Sequence, residues 1–192
     1  AIRNLKGMKA SKEANAHYRG QRWREAADRY EAVIAAEPNT EAAPDFLAAY
    51  FFLGNSYDNL WKPARKGEPE NDAYMTKAIE NYTKAAELSK DPLIKRRAME
   101  YIVAAYAPDK LNDPSQAEPI VQKMITMDPN EPTAYFQLSK IYEDAGRYEE
   151  SEQALLKARD ARPNDPTVWS SIAGYYNRQG DFDKTMEAFN KA

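Results

Sequence analysis

The chain has 192 residues, of which only 7 are Gly, while Ala, Glu, Lys and Tyr are abundant, a balance that favours helix interiors over hairpin turns. The absence of Cys excludes disulfides, thiolate metal sites and cysteine nucleophiles. The formal net charge is −3, with a basic excess in residues 1–30 and an acidic remainder. No segment approaches the ~20 apolar residues of a membrane helix, so we expect a soluble all-α protein of the cytoplasm or of a bacterial periplasm.

Most of the 12 Pro lie between stretches with apolar periodicity, where proline ends one helix or opens the next. In chain order, the periodicity predicts helices at residues 4–19, 23–36, 42–61, 72–89, 93–106, 114–126, 132–145, 149–161, 166–179 and 183–191. These ten helices form five hairpins.

The last two hairpins repeat the same pattern without a gap, one beginning at Pro132 and the next at Pro166. The matched positions are Tyr135 with Trp169, Leu138 with Ile172, Ser139 with Ala173, Tyr142 with Tyr176, Gly146 with Gly180, Tyr148 with Phe182 and Leu155 with Phe189. The large residues are spaced three to four apart and form one apolar stripe. The small residues allow the second helix to approach closely, and the glycines suit a left-handed residue at the helix end.

This pattern and its spacing resemble the tetratricopeptide repeat family, whose period is about 34 residues. The resemblance implies a right-handed superhelical α-solenoid of helix hairpins, and it extends upstream with more substitutions. It predicts a single array over residues 1–192, with units at about 7–40, 47–90, 93–131, 132–165 and 166–192. The second unit carries an insertion within 58–71. Its residues 62–71 are rich in Pro, Gly and charge, so we expect them to bury little and to be mobile. The fifth unit lacks a polar capping helix, so we expect a longer chain or assembly.

The sequence contains no recognisable arrangement of residues that is typical of catalysis. His17 is the only histidine and has no evident catalytic partners, so we interpret it as a helix-surface or groove residue. A phosphate-binding GxxxxGK loop is absent, and Asp181 and Asp183 lack the spacing of a calcium loop. We therefore predict that the protein is not an enzyme and uses no cofactor, metal or small-molecule substrate.

The three tryptophans have different contexts. Trp23 and Trp169 occupy repeat positions that face between helices, so packing is favoured over stacking on bases or sugars. Trp61 lies in the insertion, where no repeat position accounts for it. We favour the interpretation that Trp61 packs against the repeat array, and contact of Trp61 with a partner is the alternative.

In the family that the sequence resembles, partners bind along the concave surface formed by the first helix of each hairpin. Carried onto this chain, that rule implies a groove made of Asn15, Tyr18, Arg19, Phe51, Phe52, Asn55, Arg97, Tyr101, Phe136, Gln137, Lys140, Asn177 and Arg178. It also selects Glu143, Ser170, Ser171 and Gly174. Phe51 and Phe136 are expected to face solvent as anchors for a partner, because the stripe that packs the helices does not require them.

The resemblance implies a non-catalytic protein–protein interaction scaffold that holds a partner peptide or helix in its concave groove. The alternative is an accessory or regulatory repeat array of a larger enzyme or of a secretion or assembly machine. The basic N-terminal region suggests nucleic acid as a third partner class. Overall acidity and the lack of a base-reading motif favour a protein partner instead. No membrane insertion is expected.

Overall fold

The computed structural model describes residues 2–36 and 44–192, with side chains described for 7–36 and 48–192. Its α-helices are α1 (Ile2–Arg19), α2 (Trp23–Ala36), α3 (Pro44–Leu60), α4 (Pro69–Leu88), α5 (Pro92–Ala105), α6 (Pro114–Met127), α7 (Pro132–Asp144), α8 (Tyr148–Ala161), α9 (Pro166–Arg178) and α10 (Phe182–Phe189). No strand occurs in these ranges. The predicted all-α class is confirmed, and most predicted helix ends lie within two residues of the observed ones.

Proline opens six of the helices, as the sequence indicates. At three of these starts the preceding acidic residue accepts a hydrogen bond from the backbone N–H two residues later: Asp91 from Leu93, Glu131 from Thr133 and Asp165 from Thr167. Proline lacks the N–H that would be unsatisfied in a first turn, and the carboxylate satisfies the next one. In each of these three helices, an acidic residue followed by proline therefore marks the helix start.

The chain divides into two compact units, Ala1–Asn112 and Asp113–Ala192. In the first unit α1 packs on α2, α2 on α3, α3 on α4 and α4 on α5. In the second unit the same order holds from α6 to α10, each helix packing on the next. The division falls between α5 and α6, which the sequence analysis assigns to one hairpin. The single continuous array stays a prediction.

Close approach within three of the hairpins depends on one small residue of the first helix. Ser139 on α7 is buried, and its Oγ lies 2.8 Å from the Oγ of Ser151 on α8. The corresponding residue of α3 is Gly54, where a Cβ would lie only 2.9 Å from the buried ring of Tyr82 on α4. Ala173 on α9 is fully buried. The packing role predicted for the small position is confirmed.

The turns inside the hairpins contain a residue with positive φ. Gly146 has a φ of 72° and Gly180 a φ of 76°, so the predicted left-handed turns are confirmed. The first hairpin uses Gln21 at the corresponding position, with a φ of 55°. A residue with a Cβ in that conformation is strained, and the first turn is therefore the less favourable one.

A repeated polar lock joins successive hairpins within each unit. A tyrosine of a first helix donates its hydroxyl to a glutamate of the preceding helix, and a cation from its own hairpin covers the tyrosine ring. The three sets in the described residues are Tyr57 with Glu31 and Lys77, Tyr142 with Glu118 and Arg147, and Tyr176 with Glu152 and Lys184. In the last two sets the tyrosines and the glutamates occupy matched positions of consecutive hairpins and so follow the repeat period, whereas the cations Arg147 and Lys184 occupy different repeat positions.

The insertion is ordered by hydrogen bonds and by longer helices. α4 begins at Pro69 and not at residue 72, and a short 3₁₀ turn, Pro63–Arg65, follows α3. Buried Asn71 accepts from the backbone N–H of Lys62 at 2.8 Å and donates to its carbonyl at 3.1 Å. Residues 62–70 are exposed and only Asn71 is buried, so the expectation that this segment buries almost nothing is confirmed, although hydrogen bonds anchor its turn on the start of α4. Its mobility stays a prediction.

Candidate functional site

The predicted groove residues lie on the first helices of the hairpins. In the first unit they are Asn15, Tyr18 and Arg19 on α1, Phe51, Phe52 and Asn55 on α3, and Arg97 and Tyr101 on α5. In the second unit they are Phe136, Gln137 and Lys140 on α7, and Asn177 and Arg178 on α9. Arg19, Arg97, Lys140, Asn177 and Arg178 are exposed, Phe51 and Asn55 are buried, and the others are half-buried.

In the first unit the predicted aromatic residues pack on one another. Phe51 is only 8% exposed, with ring centroids 5.5 Å from Phe52, 5.5 Å from Tyr101 and 5.8 Å from Tyr82. Phe52 in turn lies 5.0 Å from Tyr18 in an edge-to-face arrangement. The expectation that Phe51 faces solvent is therefore wrong, because rings from α3, α4 and α5 converge on it.

The asparagines of this face are also used internally. Tyr30 donates to Asn15 Oδ1 at 2.7 Å, and Tyr18 donates to Asn55 Oδ1 at 2.7 Å. Asn55 Nδ2 then donates to the hydroxyl of Tyr82 at 3.2 Å. Burial raises the pKa of Tyr18, Tyr30 and Tyr82, so their hydroxyls stay protonated at neutral pH. The amides and hydroxyls tie α1, α2, α3 and α4 together.

The second unit contains a cleft of about 400 Å³ between α7 and α9. The residues that line it are Phe136, Ser139, Lys140, Glu143, Leu155, Thr167, Ser170, Ser171, Gly174 and Arg178. Phe136, Lys140 and Arg178 thus come together as the sequence predicts, whereas Gln137 and Asn177 do not line the cleft. Phe136 is half-buried, so it combines a packed ring with an open edge.

The charges around this cleft are paired but accessible. Arg178 donates from Nε and Nη2 to the two carboxylate oxygens of Glu143, both at 2.9 Å. These hydrogen bonds hold the pKa of Glu143 below its usual value. Lys140 forms an ion pair with Asp144 on its solvent side. The cleft therefore offers an apolar ring, several hydroxyls and two exposed cations. A charged group of a ligand can replace the present partners of these cations at little cost in free energy.

A larger cavity of about 640 Å³ lies in the first unit, where the α1–α2 turn, the end of α3 and the insertion meet. Of the predicted groove residues only Asn55 and Tyr101 line it, together with Trp23 and Trp61. Trp61 is buried, which confirms the packing reading of this residue. Sequence reasoning missed the cavity itself. The available signal was a tryptophan with no place in the repeat.

No group of three or more His, Cys, Asp or Glu in the part of the chain that the structure describes is placed to hold a metal ion. His17 is half-buried on α1, and its Nδ1 has no partner. In the described residues, no helix combines the length and apolar character needed to cross a membrane.

Repeated helix hairpins, with an open cleft between two successive first helices, define a helical-repeat scaffold of the kind that binds proteins. Two family models, each described as "Tetratricopeptide repeat", match residues 11–60 and 110–174, together more than half of the chain. The chain belongs to the tetratricopeptide repeat family. Proteins of this family are typically non-catalytic, and their repeats imply protein partners.

Solved structures of MamA have the same fold. One MamA structure matches with a TM-score of 0.67 at 18% identity, over 98% of this chain and 90% of that one. MamA from Desulfovibrio magneticus RS-1 matches with a TM-score of 0.65 at 18% identity, over 97% of this chain and 92% of that one. At this identity the similarity shows the fold, and it confirms the predicted solenoid class. No curated protein sequence matches the chain.

Proposed function

We propose that the protein is a scaffold that captures a segment of a partner protein in the cleft between α7 and α9. The observation that carries this proposal is the cleft of about 400 Å³ lined by residues of two successive first helices. The core of this unit uses the other faces of the same helices, including Tyr135, Ile172 and Ala173. Of the cleft residues, Ser139 and Leu155 are buried in the packing, whereas Lys140, Thr167, Ser170 and Arg178 are exposed and available to a ligand.

The lining suggests how a segment is held. Phe136 supplies an apolar surface, and a partly buried aromatic ring of this kind is a frequent anchor in protein interfaces. Thr167 and Ser170 supply hydroxyls that can donate to and accept from a peptide backbone, and Ser171, whose hydroxyl donates to the carbonyl of Thr167 at 2.9 Å, can still accept. We expect the bound segment to place one apolar side chain against Phe136 and its backbone along the hydroxyls.

Gly174 allows a direct test, because a Cβ there meets nothing closer than 3.5 Å, at Arg178 Nη1. Gly174→Leu fills the cleft while replacing a poor helix former by a good one, so the fold is preserved. A partner captured from a cell extract is titrated by calorimetry against wild type and this variant. We expect at least about tenfold weaker binding by the variant, with an unchanged or higher melting temperature.

Lys157→Leu is the matched control, since it introduces the same side chain at an exposed position of α8 outside the cleft. It should bind as wild type does. Equal affinity of wild type and Gly174→Leu would place the partner elsewhere and contradict the proposal.

A further inference from the structure

The cleft between α7 and α9 carries an excess of exposed positive charge. Among the described residues that line it, Lys140 and Arg178 are cations and Glu143 is the one carboxylate. The side chains of Lys140 and Arg178 are 64% and 56% exposed, whereas that of Glu143 is only 11% exposed. A ligand that enters the cleft therefore meets positive charge first, although residues 113–192 as a whole contain more acidic than basic residues.

The guanidinium of Arg178 is oriented by Glu143. Its Nε and Nη2 each donate to one carboxylate oxygen, and Gln179 Nε2 donates to the same carboxylate at 3.3 Å. These hydrogen bonds lower the pKa of Glu143, so this group stays ionised at neutral pH. Because the guanidinium is planar and is held through two of its nitrogens, the direction of the third nitrogen, Nη1, is fixed as well.

This third nitrogen lies over Gly174. Arg178 Nη1 is 3.5 Å from the point that a Cβ of residue 174 would occupy, and it donates no hydrogen bond within the described residues. Arg178 is exposed and both residues line the cleft, so the missing side chain of Gly174 leaves room for an acceptor beside Nη1. Since a guanidinium has five N–H donors, an acceptor can bind here while Arg178 keeps both hydrogen bonds to Glu143.

Lys140 supplies the second cation, one helical turn after Phe136 on α7. Its ammonium pairs with Asp144 of the same helix, which does not line the cleft. An exposed ion pair of this kind contributes little to stability, so a carboxylate of a ligand can exchange with Asp144. The apolar ring and this cation lie on the same face of α7, because residues four apart are neighbours on a helix.

We propose that the cleft binds an acidic segment of the partner, whose carboxylates accept hydrogen bonds from Lys140 Nζ and Arg178 Nη1 while a neighbouring apolar side chain contacts Phe136. Hydrogen bonds between ionised groups are roughly twice as strong as those between neutral groups, which favours a carboxylate over a neutral acceptor. A basic segment would bring like charges together and is disfavoured. The inference rests on the proposed scaffold function, since it specifies the partner segment of that same cleft.

The test uses the full chain labelled with ¹⁵N, in which the amide signal of Gly174 reports on the cleft. The probes are three blocked pentapeptides with a central leucine, flanked on both sides by glutamate, by glutamine or by lysine. We expect the glutamate peptide to bind at least about threefold more tightly than the glutamine peptide, and the lysine peptide to bind most weakly. This preference should disappear when NaCl is raised from about 0.05 M to about 0.5 M, because salt screens exposed charges.

Variants of the two cations assign the preference to the cleft. Lys140→Gln should reduce the preference for the glutamate peptide at least about twofold, and the double variant Lys140→Gln/Arg178→Gln should abolish it. Lys157→Gln is the matched control, since it removes an exposed lysine of α8 outside the cleft, and it should keep the preference of wild type. Lys140→Gln, which breaks only an exposed pair, decides the matter if the double variant fails to fold.

Equal affinities of wild type for the glutamate and glutamine peptides overturn the proposal, and so does tighter binding of the lysine peptide. The absence of a Gly174 shift at millimolar glutamate peptide overturns it too, as does an equal effect of Lys140→Gln and Lys157→Gln. The scaffold function is decided separately, by whether the partner captured from a cell extract loses affinity for Gly174→Leu. A partner that loses affinity for that variant but shows no dependence on Lys140 would support the cleft and contradict the acidic segment.

Discussion

Phe51 and Phe136 occupy the same position of their helices, yet the structure predicts opposite responses to truncation. Phe51→Ala removes a buried ring that contacts three other rings, at centroid distances of 5.5 to 5.8 Å. Burial of a phenylalanine contributes about 1.5–3 kcal/mol, and each aromatic pair adds about 0.5–1.5 kcal/mol. Because the cavity collapses only partly, we expect a loss of about 3–5 kcal/mol.

For a unit of this size, each kcal/mol lowers the melting temperature by about 4–8 °C. Phe51→Ala should therefore lower the first unit's melting temperature by at least about 12 °C, with faster amide hydrogen exchange in α3, α4 and α5. Phe136→Ala is the matched control and should lose only about 1–2 kcal/mol, in α7, because its ring is half-buried. A Phe51→Ala protein within about 0.5 kcal/mol of wild type would refute the aromatic cluster.

Three further predictions concern packing and pH. Gly54→Ala should lower the free energy of unfolding by about 1–3 kcal/mol, because the new Cβ collides with the buried ring of Tyr82. Gly174→Ala should raise it by about 0.5–1 kcal/mol, because Ala is the better helix former and the space is open. Chemical denaturation curves of both variants and of wild type measure the two changes. Tyr142→Phe should lower the free energy of unfolding by about 0.5–1.5 kcal/mol, because it removes the hydroxyl that donates to Glu118. Equal denaturation midpoints for the variant and wild type would show that this hydrogen bond does not stabilise the hairpin contact. Folding lowers the pKa of Glu143, so its contribution is complete above the ordinary glutamate pKa, about 4.3, and is lost as pH falls through the lowered value. Arg178→Gln should therefore flatten the acid limb of a melting-temperature profile.

The repeat architecture was predictable because its determinants are local or periodic. Pro166 and its preceding carboxylate mark a helix start, Gly180 marks a turn, and Ser139 marks a close contact, each recognisable within a few residues. Similar signals recur in successive hairpins, so a hairpin with a weaker match can be recognised by comparison with its neighbours. Even the first turn, where Gln21 replaces glycine, was placed correctly through its neighbours.

The candidate sites were less predictable because they depend on contacts between distant segments. A positional rule assigned Phe51 to the groove, but its burial comes from Tyr82 and Tyr101, which approach only after α4 and α5 have packed on α3. The insertion similarly gains its order from Asn71, whose amide closes the turn. Neither the ring contacts of Phe51 nor the hydrogen bonds of Asn71 can be predicted from the local sequence composition. In the second unit the same positional rule selected Phe136, Lys140 and Arg178, which line the cleft, together with Gln137 and Asn177, which do not.

The central claim is that a partner segment occupies the α7–α9 cleft, and site-specific photo-crosslinking tests it most directly. A benzophenone amino acid is placed at exposed Ser170 on the cleft wall, and at exposed Lys157 on α8 as the control position. Cells that produce these variants are irradiated, and the crosslinked products are identified by mass spectrometry. The scaffold account predicts one defined partner protein crosslinked from position 170, absent from position 157 and lost when Gly174→Leu is added. The same products from both positions, or a product at position 170 that survives Gly174→Leu, would contradict it.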